Sequence, residues 1–410
     1  MSILDTITDK TYWEAFLSDK QQLQHLSRQE EQEIITFINN KRYLHYDGLI
    51  KSAMFPSTLP RKLTINKTGT RKKRIVYSFE KEDNIILKFI AHQLYVYNDV
   101  LSPNCYAFRR FYGIRNAMVH FKNNTSFSKK YCYKADIHNY FNSIDIDELL
   151  SSLSFLKERD EALYNLFFHI LKEDRVTVNG KVCIDHHGAM AGTPISPFFA
   201  NIYLKKVDDY FAEKQIPYFR YSDDILFFAD TKEELESYIA IFEEHLLKLK
   251  LQINPDKVAI TSPGEPWSFL GFTYYNGAID LSDVTKRKIK AKIKRKANAL
   301  RLWQMRKNLS PDKAAIGFIN AMNRKFYGSG GEDEFTWNRW FFPHLTVSTG
   351  LHEIDLYMQE YIRYTITGRH YKGNYRISYD ELKAWGYKSL VNEYFKESQN
   401  ISPYDTFHKR

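Results

Sequence analysis

The sequence predicts a mixed α/β (α+β) fold, and three observations predict it. Tyr221-Ser222-Asp223-Asp224 lies between the apolar and aromatic runs Ile216-Pro217-Tyr218-Phe219-Arg220 and Ile225-Leu226-Phe227-Phe228-Ala229, which is the pattern of a tight β-hairpin. Thr231-Lys232-Glu233-Glu234 then reads as a capping box, opening a helix with Leu235, Tyr238, Ile239, Phe242, Leu246 and Leu249 on one face. Upstream, Tyr131-Cys132-Tyr133 is a short apolar strand ending near Asp136.

The remaining elements follow from the same signals. Residues 1–60 read as mainly helical. Residues 61–79 are basic and strand-like, with a Thr68-Gly69-Thr70 turn between Arg61-Lys62-Leu63-Thr64-Ile65-Asn66-Lys67 and Arg71-Lys72-Lys73-Arg74-Ile75-Val76-Tyr77. Helical patterning resumes at 83–97 and again at 161–172. Ser196 is placed to N-cap a helix whose first position suits Pro197. Residues 282–307 form a basic helix over an apolar stripe of Ile289, Ile293, Ala297 and Leu300, and 309–410 is mostly helical with one break at Gly328-Ser329-Gly330-Gly331.

The chemistry begins at the hairpin tip. Two adjacent carboxylates repel each other, and a turn between apolar strands has little structural need of both. Joined by Asp136, they form a set able to hold two divalent cations roughly 3.5–4 Å apart, the arrangement that stabilises in-line phosphoryl transfer. Asp136 sits in Lys134-Ala135-Asp136-Ile137-His138-Asn139-Tyr140-Phe141, five residues ahead of an aromatic, and Gly188-Ala189-Met190-Ala191-Gly192-Thr193-Pro194-Ile195-Ser196-Pro197 lies between it and the hairpin. Leu251-Gln252-Ile253-Asn254-Pro255-Asp256-Lys257 and Ser268-Phe269-Leu270-Gly271-Phe272 follow.

In this order the segments resemble the palm motifs of reverse transcriptases, from about Lys67 to Phe272. The resemblance implies a right-hand polymerase: an N-terminal helical extension (1–50), fingers (51–105 with 146–190), a palm whose ferredoxin-like antiparallel sheet carries the YxDD hairpin (106–145 with 191–278), a helical thumb (279–345) and a C-terminal helical appendage (346–410). It makes Asp136, Asp223 and Asp224 the catalytic carboxylates, and together with Ile137 the ligands of two Mg2+ ions, for which Mn2+ can substitute. Lys67 and Arg74 match the fingers residues that grip the incoming triphosphate, Phe141 the bulky ring that excludes a ribose 2′-hydroxyl, Gly192 the close backbone approach to the nucleotide, and Lys257 a lysine near the triphosphate. Arg109 and Tyr221, with Lys286, Lys290, Lys294 and Arg295 of the basic helix, are the expected nucleic-acid contacts. One departure stands out: where the family commonly has Pro-Gln-Gly, this chain has Met190-Ala191-Gly192, which puts ordinary templating in question.

Composition agrees. A net charge of +10 over 410 residues suits a polyanionic partner, and 29 Tyr with 29 Phe suit stacking on bases. The three cysteines are too scattered for a disulfide framework or a zinc site, and His186-His187 has only Asp185 beside it. No run approaches the ~18 apolar residues of a membrane span, and no secretory signal is visible, so a cytoplasmic protein is expected.

The expected function is RNA-directed DNA synthesis from dNTPs on an RNA template, extending a primer into cDNA. Gly192-Thr193-Pro194-Ile195-Ser196-Pro197 and Gly386-Tyr387-Lys388-Ser389-Leu390 look most like the class 2 defence-associated bacterial reverse transcriptases, which implies a structured noncoding RNA template and a role against phage. A retron-type enzyme is the nearest alternative. Further readings are an RNA-dependent RNA polymerase, against which Phe141 argues, and a catalytically silent RNA-binding scaffold, against which three intact aspartates argue. Arg363, Arg369-His370-Tyr371-Lys372, Tyr375-Arg376 and Trp385-Gly386-Tyr387-Lys388 interleave cations and rings, as a single-strand or structured-RNA surface does.

Overall fold

The structure is a computed structural model and describes residues 2–23, 26–66, 73–328 and 336–400. It divides into two compact units, Met1–Glu265 and Pro266–Arg410.

In the first unit, helices Lys10–Leu23, Arg28–Asn39 and Arg42–Lys51 gather on helix Lys81–Gln93. Aromatic packing joins them: the buried Trp13 ring stacks on Phe89 at 4.0 Å and lies 5.7 Å from Tyr43, and its Nε1 donates to the Ile7 carbonyl. Strands β1 (Arg61–Asn66) and β2 (Lys73–Ser78) pair antiparallel, with Ile65 opposite Arg74. Strand β3 is Tyr131–Asp136; β4 (Arg175–Val178) and β5 (Lys181–Ile184) extend the first sheet in the order β2-β1-β4-β5. Strands β6 (Tyr218–Tyr221), β7 (Asp224–Ala229) and β8 (Ala259–Thr261) join β3 in a second sheet, ordered β6-β7-β3-β8 and antiparallel throughout. The expected hairpin and the expected Asp136 strand are therefore neighbours. Helix Lys232–Lys248 buries Leu235, Phe242 and Leu246, and Phe242 meets Phe227 of β7 at 5.3 Å.

Two caps differ from expectation. Thr231 does cap its helix, accepting from the Glu234 amide, but the Glu234 carboxylate bonds chiefly outside the expected box, to the Asp230 amide and the Tyr238 hydroxyl. Helix Ser196–Tyr203 starts one residue earlier than expected, with Ile195 at the N-cap. The turn at Thr193 is the reason. Its carbonyl accepts both the Ser196 amide and the Ser196 hydroxyl, which draws Ser196 inside the helix.

In the second unit, β9 (Trp267–Phe269), β10 (Phe272–Tyr275) and β11 (Ala278–Leu281) form a three-stranded antiparallel sheet. Trp267 stacks on Tyr274 across it at 3.9 Å. Ser282 caps the helix Asp283–Arg306, which buries Ile289, Ile293 and Ala297 against helices Pro311–Tyr327 and Thr349–Thr367. The mixed helix-and-sheet fold expected from the sequence is the fold observed. Among the described residues no helix is long and apolar enough to cross a membrane.

Candidate active site

The three aspartates converge because of strand register. Asp136 ends β3 and is the direct partner of Asp224, the first residue of β7. Asp223 occupies the two-residue turn between β6 and β7, and its carbonyl accepts the Ile137 amide at 3.1 Å. Ser222, the other turn residue, has φ +61°, the positive value that a two-residue hairpin needs at its first loop position.

What holds this turn was not legible in the sequence. Arg220, the one charged residue of β6, has no exposed surface, and its partner Asp208 is 1% exposed. Its Nε donates to Asp208 Oδ1 at 2.8 Å and its Nη2 to Oδ2 at 2.5 Å, while Nη1 reaches the Ser222 carbonyl at 3.3 Å. Tyr218 adds a hydroxyl hydrogen bond to Asp208, and Asn201 accepts from the guanidinium and donates to the Ala107 carbonyl. Burial opposes the Arg220 charge, but Asp208 outweighs it and holds the guanidinium firmly protonated. The available signal was a lone cation inside an apolar strand, since a buried charge requires a buried partner.

The site carries surplus negative charge. Burial, then the charges of Asp136 and Asp224, push the Asp223 carboxyl up to about 6. The Lys257 ammonium lies on Asp136 Oδ2 and pulls Asp223 the other way. A cation is thus already in place on one of the three carboxylates. Among the described residues no three His, Cys, Asp or Glu side chains yet stand at coordinating spacing. The donor set nonetheless fits a hard divalent ion: oxygen-rich, mutually repelling, and relieved by positive charge. Ile137, expected beside them, has a buried apolar side chain, so its main-chain oxygen is the one atom it can offer an ion.

Around the carboxylates the expected residues take different places. Phe141 is half-buried, edge-on to Phe108 at 6.3 Å, and Phe108 lies 6.4 Å from Tyr221. The core role falls to its neighbour Tyr140, fully packed with its hydroxyl on the Ala200 carbonyl. Gly192 has φ +102°, and a Cβ there would lie 3.1 Å from the Tyr77 carbonyl and from Val76 Cβ. Ala191, in place of the family's Gln, is buried; its carbonyl accepts the Tyr77 amide and its amide donates to Asn142, so this residue joins the loop to β2. Arg74 is exposed on β2, and Lys67 lies outside the described residues.

Three residues expected at the nucleic acid have partners within the protein. Arg109 donates to the carbonyls of Asn98, Ser102 and Cys105 and lies over the Tyr112 ring, so it clamps its own loop. Lys286 and Lys290 both pair with Glu353, which neutralises much of their charge; Lys294 and Arg295, one turn on, are exposed. His187, the buried member of the His pair, faces the carbonyls of Gly188 and Glu173 with its two ring nitrogens.

Residues 65–274 match the sequence profile of the family described as reverse transcriptase (RNA-dependent DNA polymerase). The chain belongs to the reverse transcriptase family. No curated protein sequence matches. Among solved structures it is similar to telomerase from Candida albicans in complex with a TWJ fragment of telomeric RNA, at 11% identity and a TM-score of 0.42, over 87% of this chain and 68% of that one. Apo telomerase from Candida tropicalis gives 12% identity and a TM-score of 0.41, over 82% and 67% of the two chains. The form truncated from its C-terminal domain gives 13% and 0.41, over 54% and 55%, so this reverse transcriptase spans about half the length of that relative.

Proposed function

We propose that the chain is an RNA-directed DNA polymerase whose chemistry rests on Asp136, Asp223 and Asp224. The observation that carries this reading is the register that sets Asp136 opposite Asp224, with Asp223 on the turn beside them, inside a reverse transcriptase domain. Two Mg2+ ions, or Mn2+ in their place, held by these carboxylates would activate a primer 3′-hydroxyl and neutralise the triphosphate. The protein's own residues do the rest. Arg220 and Asp208 fix the turn that carries Asp223. Lys257 keeps Asp136 paired before an ion arrives. Arg74, with Lys67, binds triphosphate oxygens, Gly192 admits the nucleotide against the backbone, and Phe141 presents its ring where a ribose 2′-hydroxyl would sit, which favours dNTPs. In this reading fingers, palm and thumb divide the chain as its motifs do. A structured noncoding RNA as template, a cytoplasmic setting and a role against phage rest on the 192–197 and 386–390 segments.

The test follows incorporation of labelled dNTPs and rNTPs in Mg2+ by the protein purified with its own nucleic acid, beside the Asp223→Ala, Asp224→Ala variant. DNA synthesis that the variant lacks is the expected result. Bound RNA with no synthesis from either protein would favour a silent scaffold, and rNTP incorporation an RNA polymerase.

A further inference from the structure

In the second unit, the loop after helix Thr349–Thr367 displays two tyrosine rings to solvent. Tyr371 is 55% exposed and Tyr375 73% exposed, although tyrosine normally buries most of its ring. Neither ring hangs free. That of Tyr371 lies over Gly373, where a Cβ would come within 2.3 Å of its Cε2, so only glycine lets it rest there. That of Tyr375 sits on the guanidinium of Arg363, 5.3 Å from the ring centroid, and Arg363 is itself buried and donates to the Ile377 carbonyl. Between the rings, the buried Asn374 ties the loop together: its side chain donates to the Arg369 carbonyl, its amide donates to the Tyr371 carbonyl, and its own carbonyl accepts the Ile377 amide. Each ring therefore rests against the protein at one point of a tied loop and leaves much of its surface to solvent.

The loop around them is basic, although the exposed Glu360 carboxylate pairs with His370 within it. Arg369, Lys372 and Arg376 are exposed, and among the described residues none of the three sits in an ion pair. Exposed rings on a tied loop, interleaved with unpaired cations, match a strand of unpaired nucleotides, whose bases stack and whose phosphates need counter-charge. A duplex hides its base faces and would use the cations alone. This surface lies outside the residues that match the reverse transcriptase family.

We propose that residues 369–376 form a second nucleic-acid site that holds unpaired nucleotides by stacking on Tyr371 and Tyr375. The polymerase reading bears only on the source of the strand: template RNA and newly made DNA share this chemistry.

The test measures binding of labelled single strands of about 12 nucleotides, as RNA and as DNA, and of a blunt RNA hairpin closed by a non-nucleotide linker, to the full chain and to the Tyr371→Ala, Tyr375→Ala variant without dNTPs. The expected result is an affinity loss of about five-fold or more for a single strand, with the hairpin unaffected. Loss on RNA alone assigns the site to template, and loss on DNA alone to product. A Tyr371→Trp, Tyr375→Trp variant keeps both platforms and binds as the wild type does; if it loses as much as the alanine variant, or if the alanine variant binds both single strands normally or loses the hairpin equally, the proposal is overturned. Incorporation of dNTPs on a saturating primer–template is read separately. A wild type that incorporates nothing yet loses strand binding with the rings would sink the polymerase reading and leave this site standing.

Discussion

At the scale of single residues, Asp223 sets function against stability. Its carboxyl is pushed from an ordinary 3.8 to about 6 by burial and by its two acidic neighbours. A carboxyl raised in the folded state favours folding while it is protonated, at pH below about 4, and that contribution is lost as pH rises through 6. In protein freed of divalent ions, Asp223→Asn should therefore raise Tm at pH 8, by an amount equivalent to roughly 1–3 kcal/mol, and change it little at pH 3.5. Thermal unfolding at both pH values checks this, and equal effects at the two would contradict it. Phe141 makes a second prediction. Because Tyr140 already fills the core position, Phe141→Val should leave the fold intact while raising rNTP incorporation relative to dNTP by about tenfold or more, a difference of about 1.4 kcal/mol in selectivity. Competing incorporation of the two nucleotides measures it.

At the scale of elements, the YxDD hairpin depends on groups that never touch substrate. Removing one member of the buried Arg220–Asp208 pair leaves the other charge without compensation, which costs about 3–5 kcal/mol. Asp208→Ala should therefore lower stability by that amount in denaturant unfolding. Arg220→Lys keeps the charge but loses the fork that reaches both Asp208 and the Ser222 carbonyl, and so should reduce kcat more than it reduces stability. Gly188 plays a matching part beside Phe141. It has φ +56°, and a Cβ would fall 2.5 Å from the Phe141 carbonyl, so Gly188→Ala should cost roughly 1–3 kcal/mol and impair nucleotide selection as well. Periodicity and turn chemistry made the hairpin, the Asp136 strand and helix Lys232–Lys248 legible in the sequence. They could not show that Arg220 is paired with Asp208, twelve residues away on another element, because no local pattern encodes a pairing made by packing. The same holds for Lys286 and Lys290: their spacing marks a basic face, but Glu353, which pairs with both, lies on a helix distant in sequence.

At the scale of the molecule, the net charge of +10 turns into binding only where cations are unpaired. Neutralising Lys294 and Arg295 together should flatten the plot of log affinity for duplex nucleic acid against log salt by about 2, one unit for each phosphate that no longer meets a cation. Neutralising Lys286 and Lys290 should change that slope less, since both already pair with Glu353. Family and fold class were legible because ordered motifs with fixed chemistry specify them. Which cations remain free for a nucleic acid was not, since that depends on partners brought together only by folding.

The central claim is that Asp136, Asp223 and Asp224 carry out DNA synthesis as one unit. It is tested most directly by steady-state incorporation of dTTP on an RNA template with a DNA primer in Mg2+, comparing wild type with Asp136→Asn at matched template occupancy. A fall in kcat of about a thousandfold or more is expected, corresponding to several kcal/mol of lost transition-state stabilisation, with template affinity unchanged. An Asp136→Asn enzyme that still polymerises at near wild-type rate would contradict it.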